Sequence, residues 1–151
     1  MDTQDLTITI LVDRSPEQAF DAINNPRAWW GGDIVGRTDR LGEEWTYRYR
    51  DVHMSRQRVA ELVPGRKVVW QVVDSALNFL EDKAEWTGTS IVFDIAQKGG
   101  QTEIRFTHVG LAPQVECYDV CSDAWGGLIR GSLRGFIQDG TGDPNNFDRA
   151  A

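Results

Sequence analysis

Apolar side chains recur at a helical period from Pro113 to Gln138. On a helical wheel Tyr118, Cys121, Trp125, Leu128, Ile129, Ser132 and Phe136 share one stripe. Glu116, Asp119, Asp123, Arg130, Arg134 and Gln138 lie opposite. That separation predicts a single amphipathic helix with one buried face. At about 1.5 Å per residue it would run roughly 39 Å, enough to cross a small domain. Gly140, Gly142 and Pro144 end it. A helix of this kind needs an apolar surface of matching length to cover.

The preceding chain supplies such a surface in pieces. Leu6, Ile8, Ile10 and Val12 alternate with Thr7, Thr9 and Leu11, the pattern of a strand with one wet face. Ser15-Pro16-Glu17-Gln18 predicts a capped helix start, with Ala19, Phe20 and Ile23 on its apolar side and Asn24-Asn25-Pro26 as its stop. Arg27 to Trp30 reads as a second short helical turn, and Ile34 to Thr38 as an edge strand. From Glu44 to Arg50, Trp45, Tyr47 and Tyr49 alternate with polar residues. Further strands are predicted over Val52 to Val63, Lys67 to Asp74, Thr89 to Gln97 and Gln101 to His108, the last pair joined by Gly99-Gly100. Ser75 to Gly88 reads as a long connection with apolar anchors, placed to act as a lid.

Strands joined by hairpin turns make an antiparallel sheet that must bury one face. The expected architecture is therefore a single α+β domain over residues 1–142, with residues 143–151 a loose tail. A curved antiparallel sheet wraps the long C-terminal helix, and two short helices follow the first strand. The gap between sheet and helix is the natural place for a cavity.

Composition narrows the partners. The net charge is −7, and the sixteen Lys and Arg are scattered; the pI is about 4.8. This disfavours nucleic acid and anionic membranes. The start of the chain lacks a signal-peptide pattern, and no apolar run approaches the ~20 residues of a membrane span. Two cysteines make no disulfide framework, so a cytoplasmic location is expected.

Glu85-Trp86-Thr87-Gly88-Thr89, Phe106-Thr107-His108-Val109-Gly110-Leu111 and Trp125 in the long helix resemble the SRPBCC superfamily. This is the START-like, helix-grip fold of the birch-pollen allergen. The nearest branch resembles the homologues of the heat-shock-protein-90 ATPase activator's C-terminal domain, over about residues 5 to 142. The resemblance implies a helix-grip fold with an internal cavity. It also implies a functional range covering small-molecule binders, chaperone-associated domains and polyketide cyclase-like proteins. The cluster Glu116 to Cys121 departs from the general pattern. The activators' N-terminal domain is not seen in the chain, which counts against a co-chaperone role.

The candidate ligand-binding set is Trp29, Trp45, Tyr47, Trp70, Phe79, Phe93, Phe106, His108, Cys121, Trp125, Leu128 and Ile129. Their apolar bodies would supply affinity, and the Trp and Tyr tips would orient a small hydrophobic or aromatic molecule. No catalytic motif is present, and His108 is the one candidate acid–base group. Cys117 and Cys121 with His53 and His108 do not match a zinc-site spacing, so packing is the expected role of the cysteines, and no metal or cofactor is expected. Arg56 and Arg58 would hold a ligand carboxylate if they faced inward, and a solvated face otherwise. Gly127, Gly131 and Gly135 each cost about 1 kcal/mol against Ala in a helix, so close approach of a strand or second chain, space for ligand, or a locally weak helix must explain them. A homodimer through the glycine flank or an edge strand is a further expectation, and a chaperone partner is an alternative to the small molecule.

Overall fold

The alternating segments form one seven-stranded antiparallel sheet in the computed structural model, which describes residues 5–145. The strands are β1 (Leu6–Val12), β2 (Asp33–Gly36), β3 (Glu44–Tyr49), β4 (His53–Val63), β5 (Lys67–Leu77), β6 (Ser90–Lys98) and β7 (Gln101–Val109). Their spatial order is β1-β7-β6-β5-β4-β3-β2. The first strand thus closes against the last, and the short β2 forms the far edge. The expected α+β helix-grip architecture is the one observed.

Between β1 and β2 lie α1 (Pro16–Ile23) and α2 (Pro26–Trp29). Ser15 caps α1 as the sequence predicts: its hydroxyl accepts from the Gln18 N–H at 3.1 Å, and the Ser15 N–H donates to the Gln18 side chain at 3.0 Å. In β1, Ile8, Ile10 and Val12 face inward and are buried. Ile91, Phe93 and Ile95 of β6 do the same, as do Thr102, Ile104, Phe106 and His108 of β7. These faces, with α1, α2 and the C-terminal helix, enclose one continuous apolar core.

The C-terminal helix differs from its predicted form in two ways. It begins at Tyr118, not Pro113; residues 113–117 form turns. The physical reason is a tie to the connection after β5. The Glu85 carboxylate accepts the N–H groups of Glu116 and Cys117, both at 2.8 Å. In return the Glu116 carboxylate accepts the N–H of Glu81 at 3.1 Å and that of Asp82 at 3.4 Å. Backbone donors committed to these carboxylates cannot serve an earlier helical turn.

The second difference is inside the rod. An α-helix, α3 (Tyr118–Gly126), passes into a π-helical segment (Gly127–Leu133) and returns to an α-helix, α4 (Arg134–Asp139). Cys121, Trp125, Ile129, Leu133 and Ile137 are all buried, a row with a spacing of four. At 3.6 residues per turn such a row drifts steadily around a helix. The wider π turn winds it back, so one face stays on the core throughout. Phe136, expected on the stripe, is only partly buried, while Leu133 and Ile137 take the inward positions. Gly127 and Gly131 fall within this segment. Gly140 ends the rod in the left-handed conformation, with φ of 79°.

Two strands also run differently from expectation. β5 continues to Leu77, three residues past the predicted end, and β4 pairs with it through two irregularities, at Arg56/Gln57 and Val59/Glu61. Such bulges bend a strand and add local twist, here along the β4–β5 pair. Arg56 and Arg58 point outward and are exposed; Arg58 pairs with Glu44 at 3.0 Å. Asp143 and Asn145, read as the start of a loose tail, are tied down: the Asp143 N–H donates to Ser132 Oγ at 2.7 Å and the Asn145 N–H to the Trp30 carbonyl at 3.1 Å. Residues 146–151 of that tail lie outside the described residues. Among the described residues no helix is long and apolar enough to cross a membrane.

Removing the Glu85 carboxylate leaves two N–H groups at the helix entrance without their acceptor. Glu85→Ala is expected to lower unfolding free energy by about 1–2 kcal/mol, read as a shifted urea midpoint. An unchanged midpoint would show that the tie contributes nothing.

Candidate functional site

One cavity of about 390 Å³ opens between the long helix, the β3–β4 end of the sheet and the connection after β5. That volume falls within the range of small-molecule sites. Its wall is built from five places. Trp30 follows α2; Tyr47 and Tyr49 come from β3; Val52 and His53 come from the turn into β4; Phe79 and Trp86 come from the connection; Val120, Cys121, Ala124, Trp125 and Leu128 come from the helix. Among the described residues, no Lys, Arg, Asp or Glu is in this wall. Val52, Phe79 and Val120 remain 40%, 42% and 59% exposed at the rim, an apolar entrance.

The connection that carries Phe79 and Trp86 is fastened on both sides. Asn78 reaches the β3–β4 turn, its N–H to the Val52 carbonyl at 2.8 Å and its side-chain amide to the Asp51 carbonyl at 2.6 Å. The Glu85 and Glu116 exchange holds its far end to the helix entrance. Leu80 and Trp86 are buried anchors within it.

Trp30 is the inner wall. It stacks on Tyr47 with ring centroids 4.4 Å apart, lies 5.0 Å from Trp125, and meets Trp45 edge-on at 5.8 Å. Burial raises the Tyr47 hydroxyl pKa above the usual phenol range, and the neighbouring Tyr49 adds to this; a hydrogen bond with Trp30 opposes it. Tyr47 is therefore a neutral donor and acceptor at any ordinary pH.

The two histidines have different surroundings. His108 is fully buried, and both ring nitrogens are engaged: Trp125 Nε1–H donates to Nδ1 at 3.1 Å, and Nε2 lies 2.9 Å from Thr89 Oγ1. Since the indole only donates, Nδ1 must accept, so the proton sits on Nε2 and is given to Thr89. Thr89 passes its own proton to the Trp86 carbonyl at 2.6 Å. His53 lies on the cavity wall, edge-on to Trp86 at 4.5 Å and to Tyr47 at 5.2 Å. Its Nε2 is buried without a partner among the described residues, as is Trp86 Nε1.

Of the candidate residues, the structure brings Tyr47, Phe79, Cys121, Trp125 and Leu128 to the cavity. Trp29, Trp45, Trp70, Phe93, Phe106 and Ile129 pack in the core beneath it, and His108 holds the helix from behind. Trp30, Tyr49, Val52, His53, Trp86, Val120 and Ala124 are the wall residues that sequence reading did not select. A cross-strand register drawn from Trp45, Tyr47 and Tyr49 through the short β3–β4 turn would have brought in His53, which pairs with Tyr49.

The cysteines are a correction. Cys117 and Cys121 are joined as a disulfide rather than packed as separate thiols. Their Cα atoms stand 5.6 Å apart, within the ordinary range for a disulfide. A bonded pair is the chemistry of an oxidising compartment or of a redox-responsive site, so the cysteines do not mark the chain as cytoplasmic.

With this geometry established, the family described as "Activator of Hsp90 ATPase homolog 1-like protein" matches residues 13–137. The chain belongs to that family. The match covers β2 to β7, α1, α2 and most of the long helix, and it places the chain in the activator-homologue branch of the SRPBCC superfamily. No curated protein matches the chain. Among solved structures, the Aha1 dimer from Colwellia psychrerythraea is 27% identical, with a TM-score of 0.73, covering 91% of this chain and 98% of that one. SSP2350 from Staphylococcus saprophyticus is 16% identical with a TM-score of 0.68, covering 93% and 96%. CalU16 from Micromonospora echinospora is 11% identical with a TM-score of 0.61, covering 87% and 73%. The latter two share the fold.

In this activator-homologue fold, burial lowers the pKa of His53 to about 4. Burial, with His53 nearby, lowers that of His108 to about 3. In an unfolded chain both titrate near 6.5. As the solution is acidified from about 6.5 towards 4, the unfolded chain takes up protons that the folded chain refuses, so stability is highest above this window and falls through it. His53→Leu is expected to remove up to about 1.4 kcal/mol per pH unit from that slope near pH 5, measured by urea unfolding at several pH values. An unaltered slope would show that His53 takes up protons freely in the folded state.

Proposed function

We propose that this protein binds a small hydrophobic or aromatic molecule in the cavity between the long helix and the β3–β4 end of the sheet. The observation that carries the reading is the wall itself: among the described residues, twelve without a Lys, Arg, Asp or Glu, mostly aromatic and aliphatic, around about 390 Å³ that opens through an apolar rim. A space of this size in an otherwise close-packed core costs stability unless something fills it. Stacking against Trp30, Tyr47, Trp86 and Trp125 would supply most of the affinity.

A cyclase-type reaction has less support, because His108 uses both ring nitrogens internally and is sealed from the cavity. A chaperone-contacting role rests on the family description, and the apolar side chains at the cavity rim point to entry of a small molecule. Self-association belongs to the proposal as well: the Colwellia relative is described as a dimer in solution.

Biphenyl is a suitable uncharged probe, since Trp30, Trp86 and Trp125 would report its entry through quenched fluorescence. Ala124→Phe fills the cavity from the helix. It is expected to weaken biphenyl binding at least tenfold while leaving the thermal midpoint unchanged or raised, because it fills space rather than overpacking it. Undiminished binding by this variant, or no quenching of the wild-type protein by biphenyl, would defeat the reading.

A further inference from the structure

Buried polar atoms that lack partners are few in native proteins. Among the described residues, seven of the eight such side-chain atoms gather in one region: His53 Nε2, Ser55 Oγ, both amide atoms of Gln57, and the indole nitrogens of Trp45, Trp70 and Trp86. Their order is set by the fold. His53, Ser55 and Gln57 are alternate residues of β4, all turned towards the helix, where an apolar face is ordinarily required. Ser55 and Gln57 have no exposed surface.

Neighbouring strands complete a track. Gln57 is directly opposite Trp45 on β3, and Ser55 is opposite Tyr47. Trp70 on β5 meets Trp45 edge-on at 5.0 Å. One of the irregularities in β4–β5 pairing falls at Gln57 itself, and bulges serve to re-aim side chains beside functional sites. The track starts at the cavity wall, where His53 and Trp86 lie, and runs inward behind Trp30. Among the described residues no charged side chain accompanies it, so an ionised ligand group would find no counter-charge there, and burial of a lone charge is strongly disfavoured.

We propose that the inward face of β4 is a polar track that selects the ligand: an uncharged aromatic molecule carrying hydroxyl or carbonyl groups along one edge. The track pairs that edge, starting with His53 and Trp86 and continuing to Ser55 and Gln57, while the hydrocarbon body lies in the cavity. Trp30 is the partition between the two and moves aside as the edge enters. This rests on the cavity reading above, and the test separates the two.

Three matched probes decide it: biphenyl, hydroxybiphenyl and biphenyl carboxylate, titrated by tryptophan fluorescence into the wild-type protein and the His53→Leu and Gln57→Leu variants. The wild type is expected to bind hydroxybiphenyl about tenfold more tightly than biphenyl, the size of a buried hydrogen bond gained, and the carboxylate least of all. In each variant that preference falls to about twofold or less, and in Gln57→Leu, whose site does not line the cavity, biphenyl affinity stays within about threefold. Gln57→Leu also leaves the ligand-free thermal midpoint equal or higher, because unpartnered polar atoms are removed. A residue that only braced the fold would lower the midpoint and leave the preference intact. If none of the probes binds the wild type, the cavity reading fails and the track with it. If biphenyl binds but hydroxybiphenyl has no advantage, or the advantage survives both substitutions, the track alone is refuted. Tightest binding of the carboxylate would overturn the requirement for an uncharged ligand.

Discussion

A buried hydrogen-bond chain holds the cavity open. The Trp125 indole gives its proton to His108, His108 gives one to Thr89, and Thr89 gives one to the Trp86 carbonyl. Three separate pieces are thereby linked: the helix, the β7 strand and the connection after β5. Both ends of the chain are walls of the cavity. The link works only with a neutral imidazole protonated on Nε2, and burial enforces that state. His108 therefore acts as a spacer that keeps Trp86 and Trp125 stacked at 6.0 Å, with no lone pair left over for chemistry. Among unpaired polar groups in a core, a satisfied chain of this kind is also the cheaper arrangement.

Much of this architecture is legible in the sequence, for identifiable reasons. Alternation in Leu6 to Val12, Ile91 to Ile95 and Thr102 to His108 marks strands because one face of each is apolar. Ser15 with Gln18 marks a helix start because the cap is local chemistry. The start of the long helix is illegible for the opposite reason: it is decided by Glu85, some thirty residues upstream. The π turn also has no periodic signature, beyond a burial row that spaces at four where α-helices average 3.6.

The cavity wall was only half visible. Trp29 and Trp30 are adjacent, yet α2 sends Trp29 into the core and leaves Trp30, just past its end, facing the void. Nothing in the pair itself says which goes where. In β4 the inward residues are His53, Ser55 and Gln57, and the outward ones include Arg56 and Arg58. With polar residues on both faces the hydrophobic pattern gives no direction, and register against β3 settles it. Sequence-level rules fail along this strand because it departs from the pattern that a purely structural core demands.

The wide turn at Gly127–Leu133 has a consequence for how such proteins diverge. It takes up more residues per turn than the α-helix on either side, so it works as a slack loop of rope in an otherwise taut line. Ser132, inside it, grips the Trp29 carbonyl at 2.6 Å and so moors the middle of the helix beside Trp30. Lengthening or shortening the rod by one residue there would rotate Leu128 and its neighbours relative to the void while both moorings, at Glu85 and at Gly140, stay where they are. Descendants could re-tailor the chamber by small insertions at this one place, and comparisons that treat the helix as uniform would then misalign its second half.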